Sequence, residues 1–169
     1  MTDENPIHLW LCEEAAELIR GAASSALPDE TGGVLIGVSV DERPWVTDAV
    51  LVPSPKSSPV YYELTGEARR AAVDGARDRD LRLGYIGEWH SHTYDIGPSG
   101  LDRETMASLA ENESDSPDPV LVIARLRAGA HILEAHQQVA GRLMPRSMIA
   151  TGPLVRRPLE LDGNGATDG

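Results

Sequence analysis

The sequence predicts a single α/β (α+β) domain, a sandwich with a central mixed β-sheet flanked by helices. Three observations carry this expectation. The length of 169 residues falls in the usual range for one domain and suffices to bury a core. Apolar runs of strand length recur along the chain, divided by Gly, Pro and charged clusters. Three longer stretches carry helical spacing instead, and they are mixed among the strands rather than set apart from them.

A short strand is expected near His8 to Leu11, followed by a helix over about Glu13 to Ser24. Cys12 opens an apolar stripe with Ala15, Ala16, Ile19 and Ala23 at helical spacing, so it reads as a buried thiol. As the single cysteine it cannot form a disulfide within one chain. Strands are expected at Gly33 to Val40, Trp45 to Val52 and Val60 to Glu63, broken by Asp41-Glu42-Arg43-Pro44 and by Pro53 to Pro59. Thr65 is placed to cap a second helix running to about Asp78. The run Leu81 to His90 reads as the next strand, and Gly100 to Glu111 as a third helix with Ser99 as its cap. Pro119 to Leu126 and His131 to Gln138 read as two strands joined through Arg127-Ala128-Gly129. Periodicity is lost from about Thr151, which divides the chain into a domain over 1–150 and a disordered tail over 151–169. No internal repeat is visible.

Charge narrows the function. A net charge of −12 and a pI near 4.7 argue against a polyanionic partner, because nucleic-acid binders need a basic face to displace counterions. A protein partner fits better. The acidic start Met1-Thr2-Asp3-Glu4-Asn5-Pro6 leads into no long apolar run, so neither a secretory signal nor a membrane span is expected, and the reading is cytoplasmic.

The chemistry concentrates in Gly87-Glu88-Trp89-His90-Ser91-His92-Thr93-Tyr94-Asp95-Ile96-Gly97-Pro98-Ser99-Gly100-Leu101-Asp102. On a strand, His90 and His92 share a face, about 6 to 7 Å apart along the backbone, and Ser91 points away. Asp102 falls in the first turn of the following helix, where the helix dipole favours the ionised carboxylate that a metal needs. Two imidazoles and one carboxylate leave a fourth tetrahedral position open, the mark of catalytic rather than structural zinc. Other metal families do not fit: a zinc deaminase needs Cys-x-x-Cys, helical His-Glu-x-x-His is absent, and an amidohydrolase barrel needs about 250 residues.

Upstream, Pro28-Asp29-Glu30-Thr31-Gly32-Gly33 precedes an apolar strand, with glycines that permit close backbone approach. Glu-Thr-Gly-Gly together with Gly-Glu-Trp-His-Ser-His resembles the JAB1/MPN/Mov34 (JAMM) metalloprotease family, in its prokaryotic JAB-domain branch, over roughly Leu9 to Pro145. The resemblance implies an MPN/JAB-like, cytidine-deaminase-like fold, with His90, His92 and Asp102 as ligands to Zn2+, Glu30 as the catalytic glutamate and Ser99 as the oxyanion-stabilising serine. Thr93 stands where the family usually has proline, and six residues rather than seven separate His92 from Ser99.

The same resemblance implies a zinc (iso)peptidase that cleaves after the C-terminal tail of a ubiquitin-like protein, in company with E1-like and E2-like enzymes of antiphage operons. A sulfur-carrier protein is the alternative substrate, and a non-catalytic scaffold module the alternative role. The Gly-rich tail is expected to add to an exposed strand edge. Glu88 shares the face of His90 and His92 and rivals Glu30 as base, or orients an imidazole. Asp95 is a weaker rival for third ligand. His8, His131 and His136 have no partner spacing and read as surface or strand residues, and Trp89 reads as core.

Overall fold

A computed structural model describes residues 8–112, 116 and 118–154. Seven strands and three helices follow in chain order: β1 (His8–Cys12), α1 (Glu13–Ala26), β2 (Gly32–Val40), β3 (Arg43–Leu51), α2 (Gly66–Arg79), β4 (Gly84–His92), α3 (Gly100–Asn112), β5 (Val120–Arg127), β6 (Ala130–Val139) and β7 (Arg142–Thr151). The mixed α/β character is as expected, but the sheet is not an open layer between helices. It closes into a barrel in the order β1-β3-β2-β4-β5-β6-β7, with β7 pairing back onto β1 in parallel.

The closing strand is the element that sequence reading missed. Pro145 interrupts its apolar pattern and most of its side chains are exposed, so β7 carries little strand signal. Its hairpin is nonetheless written in the sequence. The connections β2–β3, β5–β6 and β6–β7 each use two residues with positive φ: Asp41-Glu42 (49° and 63°), Ala128-Gly129 (49° and 80°) and Ala140-Gly141 (49° and 77°). This dihedral pair suits the right-handed twist of the flanking strands. Thr151 ends β7 and Leu154 packs against the Val34–Ile36 cluster, whereas residues 155–169 of the expected tail lie outside the described residues.

The strand expected at Val60 to Glu63 is also absent; only an isolated bridge joins Ser58 to Tyr61. β2 is already flanked by β3 and β4, so no edge is left for another strand to pair with. Every described strand has a neighbour on each side, although β1 and β3 pair at two positions alone.

The core lies on both faces of the central strands. On one face α1 buries Ala15, Ala16, Ile19 and Ala23 against Leu35, Val46, Trp89 and Val122. The expected stripe, Cys12 included, is buried as a unit. On the other face, Ala76 of α2 meets Val34, Ile36 and Tyr85, and Met106 and Leu109 of α3 meet Leu121 and Ile123. The Thr65 side chain accepts a hydrogen bond from the Ala68 N–H, as expected of the α2 cap. Strands buried on both faces leave β4 one place to expose functional groups, its C-terminal end. No helix among the described residues is long and apolar enough to cross a membrane.

Candidate metal centre

β4 runs between antiparallel β2 and parallel β5, and its last three residues are His90, Ser91 and His92. Alternation places both imidazoles on the face toward α3, while Trp89 turns into the core and donates to the Val50 carbonyl at 3.3 Å. The Nε2 atoms of His90 and His92 are 3.1 Å apart. His90 Nε2 lies 3.2 Å from Asp102 Oδ1, and His92 Nε2 lies 3.4 Å from Asp102 Oδ2. An ion with bonds of about 2.0–2.1 Å in tetrahedral geometry holds its ligand atoms roughly 3.3 Å apart. Each of these separations is close to that spacing, and one ligand atom from each of the three residues lies within 4.8 Å of the other two, a donor set that suits zinc.

The partners of these ligands orient them. His92 Nδ1 donates to the Ile96 carbonyl at 3.0 Å, so Nε2 carries the lone pair when the ring is neutral and donates to Asp102 when the ring is protonated. Asp102 and Ser99 cap one another at the start of α3. The Ser99 N–H donates to Asp102 Oδ2 at 2.7 Å, and the Asp102 N–H donates to Ser99 Oγ at 3.1 Å. Ser99 Oγ thus accepts in the cap, and its own O–H remains available to donate into the cleft. The loop one residue shorter than the family pattern does not displace Asp102, since Ser99 and Asp102 move as a block. Thr93, in the usual proline position, donates its hydroxyl to the Pro59 carbonyl at 2.7 Å.

Charge follows this geometry. Burial alone raises the Asp102 carboxyl, but hydrogen bonds from both imidazoles and from the Ser99 N–H outweigh it and hold the group well below the usual carboxylate range. Burial lowers His92, yet the Asp102 and Ile96 hydrogen bonds prevail and the ring is raised. Glu30 is buried beside the imidazoles and is raised, with burial the largest cause and the two histidines opposing it.

Glu30 is held from both sides. Gly32 is the Cα partner of His90, so the residue just before β2 comes alongside the ligand strand. The Glu30 N–H donates to the Ser58 carbonyl at 2.9 Å, and its own carbonyl accepts from Ser57 Oγ. The glycines expected to allow close approach do so. A Cβ at Gly32 would stand 2.5 Å from the Trp89 carbonyl oxygen and from the Tyr62 ring.

The other candidate residues have partners of their own. Glu88 lines the same cleft, but its Oε1 accepts from Arg69 Nε at 2.8 Å and meets Arg69 Nη2 at 2.5 Å, which ties α2 to β4. Asp95 meets Arg127 Nε at 2.9 Å and Arg125 Nε at 3.2 Å, away from the ligand triad. His131 and His136 lie on β6, buried rather than at the surface, the first against Ser24 and the second against Glu134. Sequence reading missed Ser91, which joins Thr31 to the ligand strand, and Ile96, which orients His92 through its carbonyl. A serine between two ligands carries no signal until the pairing of β2 with β4 is known, and a backbone acceptor leaves none at all.

These groups line a cleft of about 370 Å³. Val60, Tyr61, Tyr94, Ile96 and Leu101 form an exposed apolar rim, with Met106 and Leu121 at its buried wall.

A family model described as prokaryotic homologues of the JAB domain matches residues 13–139. No curated sequence matches the chain. Among solved structures, the solution structure of protein DSY2949 from Desulfitobacterium hafniense is similar at TM-score 0.70 and 20% identity, covering 86% of this chain and 94% of that one. At that identity the likeness concerns the fold.

Proposed function

The chain belongs to the prokaryotic homologues of the JAB domain, and from that premise we propose that it is a zinc-dependent peptidase cleaving the amide bond after the C-terminal tail of a ubiquitin-like protein. The observation that carries the reading is the His90, His92 and Asp102 triad, whose spacing of 3.1 to 3.4 Å fits one ion, with Glu30 buried beside it. Bound there, zinc would lower the pKa of a water toward about 7 and polarise a carbonyl.

The chain's own groups supply the rest. Glu30, with its carboxyl raised by burial, takes the proton of the attacking water and delivers it to the leaving amine. The Ser99 O–H, left free by the cap, donates to the oxyanion as the carbonyl is attacked. Asp102 stays ionised, and the Ile96 carbonyl holds His92 in the tautomer that binds metal.

An exposed apolar rim around a polar centre supports a polypeptide substrate. An extended tail would lie in the cleft along 60–64, a segment outside the barrel strands. Glycines next to the scissile bond would let the backbone approach the imidazoles. E1-like and E2-like enzymes are the partners that would make such a substrate.

The test is elemental mass spectrometry of tag-free protein beside a cleavage assay on fusions to the tails of ubiquitin-like and sulfur-carrier proteins. Close to one zinc per chain, lost in Asp102→Ala, with cleavage of the former set, is expected. Failure to hold zinc after adding it back would sink the hydrolase reading and leave a scaffold module.

A further inference from the structure

We propose that Asp95, gripped by Arg127 and Arg125 of β5, is a positioning residue that holds the Ile96 carbonyl against His92 and so presets the metal-binding tautomer. The inference rests on the reading of His90, His92 and Asp102 as zinc ligands.

In the parallel β4–β5 pairing, Arg125 is the Cα partner of His92, so the arginine starts beside the ligand on the neighbouring strand. Arg127, two residues on, projects from the same face. Both guanidinium groups reach the carboxylate of Asp95: Arg127 Nε lies 2.9 Å from Oδ2 and Arg125 Nε lies 3.2 Å from Oδ1. Arg125 is itself braced, with Nη1 2.7 Å from Glu134 Oε2. The next residue after Asp95 is Ile96, whose N–H turns back to the Tyr94 carbonyl at 3.0 Å and whose carbonyl accepts from His92 Nδ1 at 3.0 Å. Arginines on a rigid strand therefore anchor the short loop one residue from the atom that orients the ligand. A single exposed ion pair contributes little, but here two cations share one carboxylate in a network. Its value lies in fixing the loop, and the partners of a metal-binding histidine influence affinity strongly.

The experiment compares zinc affinity, by competition with a chromogenic chelator, in the full chain and in Asp95→Ala, Arg127→Ala and the double variant. The clamp predicts that each single change weakens zinc about 10-fold and that the double change is no worse than either alone. Simple charge effects predict opposite signs, since removing Arg127 takes a cation away from the site. Tighter binding in Arg127→Ala, or wild-type affinity in Asp95→Ala, would overturn the proposal.

A second readout needs no metal. Nitrogen-15 NMR of the metal-free chain should show the His92 Nδ1 proton slow to exchange, and fast to exchange in Asp95→Ala while the thermal melt stays near wild type. An unchanged proton would likewise overturn the clamp. If wild-type protein holds no zinc, the metal reading fails and the NMR result still decides the role of Asp95.

Discussion

Thr31 and Ser91 clasp each other across β2 and β4: the Thr31 N–H donates to Ser91 Oγ at 2.9 Å, and the Ser91 N–H donates to the Thr31 carbonyl at 2.8 Å. Thr31 follows Glu30, and Ser91 separates the two histidines. One contact therefore sets the distance between Glu30 and the two histidines. Ser91→Ala takes the acceptor from a half-buried N–H, a loss of about 1–3 kcal/mol. Chemical denaturation should show it, and the cleavage rate should fall more than zinc affinity does. Unchanged kinetics would mean that β2 and β4 hold this register without the clasp.

Glu30→Gln should keep zinc and slow cleavage by roughly 10²-fold or more, the usual contribution of general acid–base catalysis. The sign for stability is opposite. An acid raised in the folded state costs stability once ionised, so the metal-free variant should melt higher than wild type at neutral pH. Glu88→Ala should behave differently. It removes the carboxylate that faces the buried Arg69 and should cost about 3–5 kcal/mol through the fold. Normal cleavage by Glu30→Gln beside a well-folded, inactive Glu88→Ala would reverse the two roles.

The cap that Ser99 makes and the oxyanion role proposed for it are separated by one pair of variants. Ser99→Gly keeps most of the N-cap, at a cost of a few tenths of a kcal/mol, but removes the oxyanion donor, which should lower kcat by about 10²–10³-fold. Ser99→Ala should lose a similar rate and also about 1 kcal/mol of stability. Steady-state kinetics and thermal melts on the two variants would check this, and a Gly variant with wild-type kcat would remove Ser99 from the chemistry.

Zinc affinity should fall with pH from above 6.5 downward, because His92 is raised and holds its proton to higher pH than a free imidazole. The metal-free fold behaves differently. The raised His92 adds stability that is complete below 6.5 and is lost as pH rises through its folded value. The lowered Asp102 adds stability that is complete above 3.8 and is lost as pH falls toward its folded value. Both describe one contact, so metal-free melts should show a single broad optimum between these limits. A flat profile would mean that the two groups are not joined without metal.

Local sequence alone determined the parts of this site that depend on spacing. His90 and His92 share a face because strand side chains alternate, and Ser99 caps Asp102 because the start of a helix leaves N–H groups to be satisfied. Helix α1 was legible through the Cys12 to Ala23 stripe and α2 through the Thr65 cap, since both signals lie within a few turns of backbone. Tertiary structure decided what depends on residues far apart. β7 closes the barrel by pairing with β1, more than 130 residues away, and its own pattern is masked by Pro145 and by exposure. That closure left 60–63 outside the sheet. The difference between Glu30 and Glu88 likewise needed three dimensions: both residues line the cleft, but only the packing of α2 brings Arg69 onto Glu88. Alternation fixes which way a side chain points; which partner meets it there depends on pairings that no local pattern records.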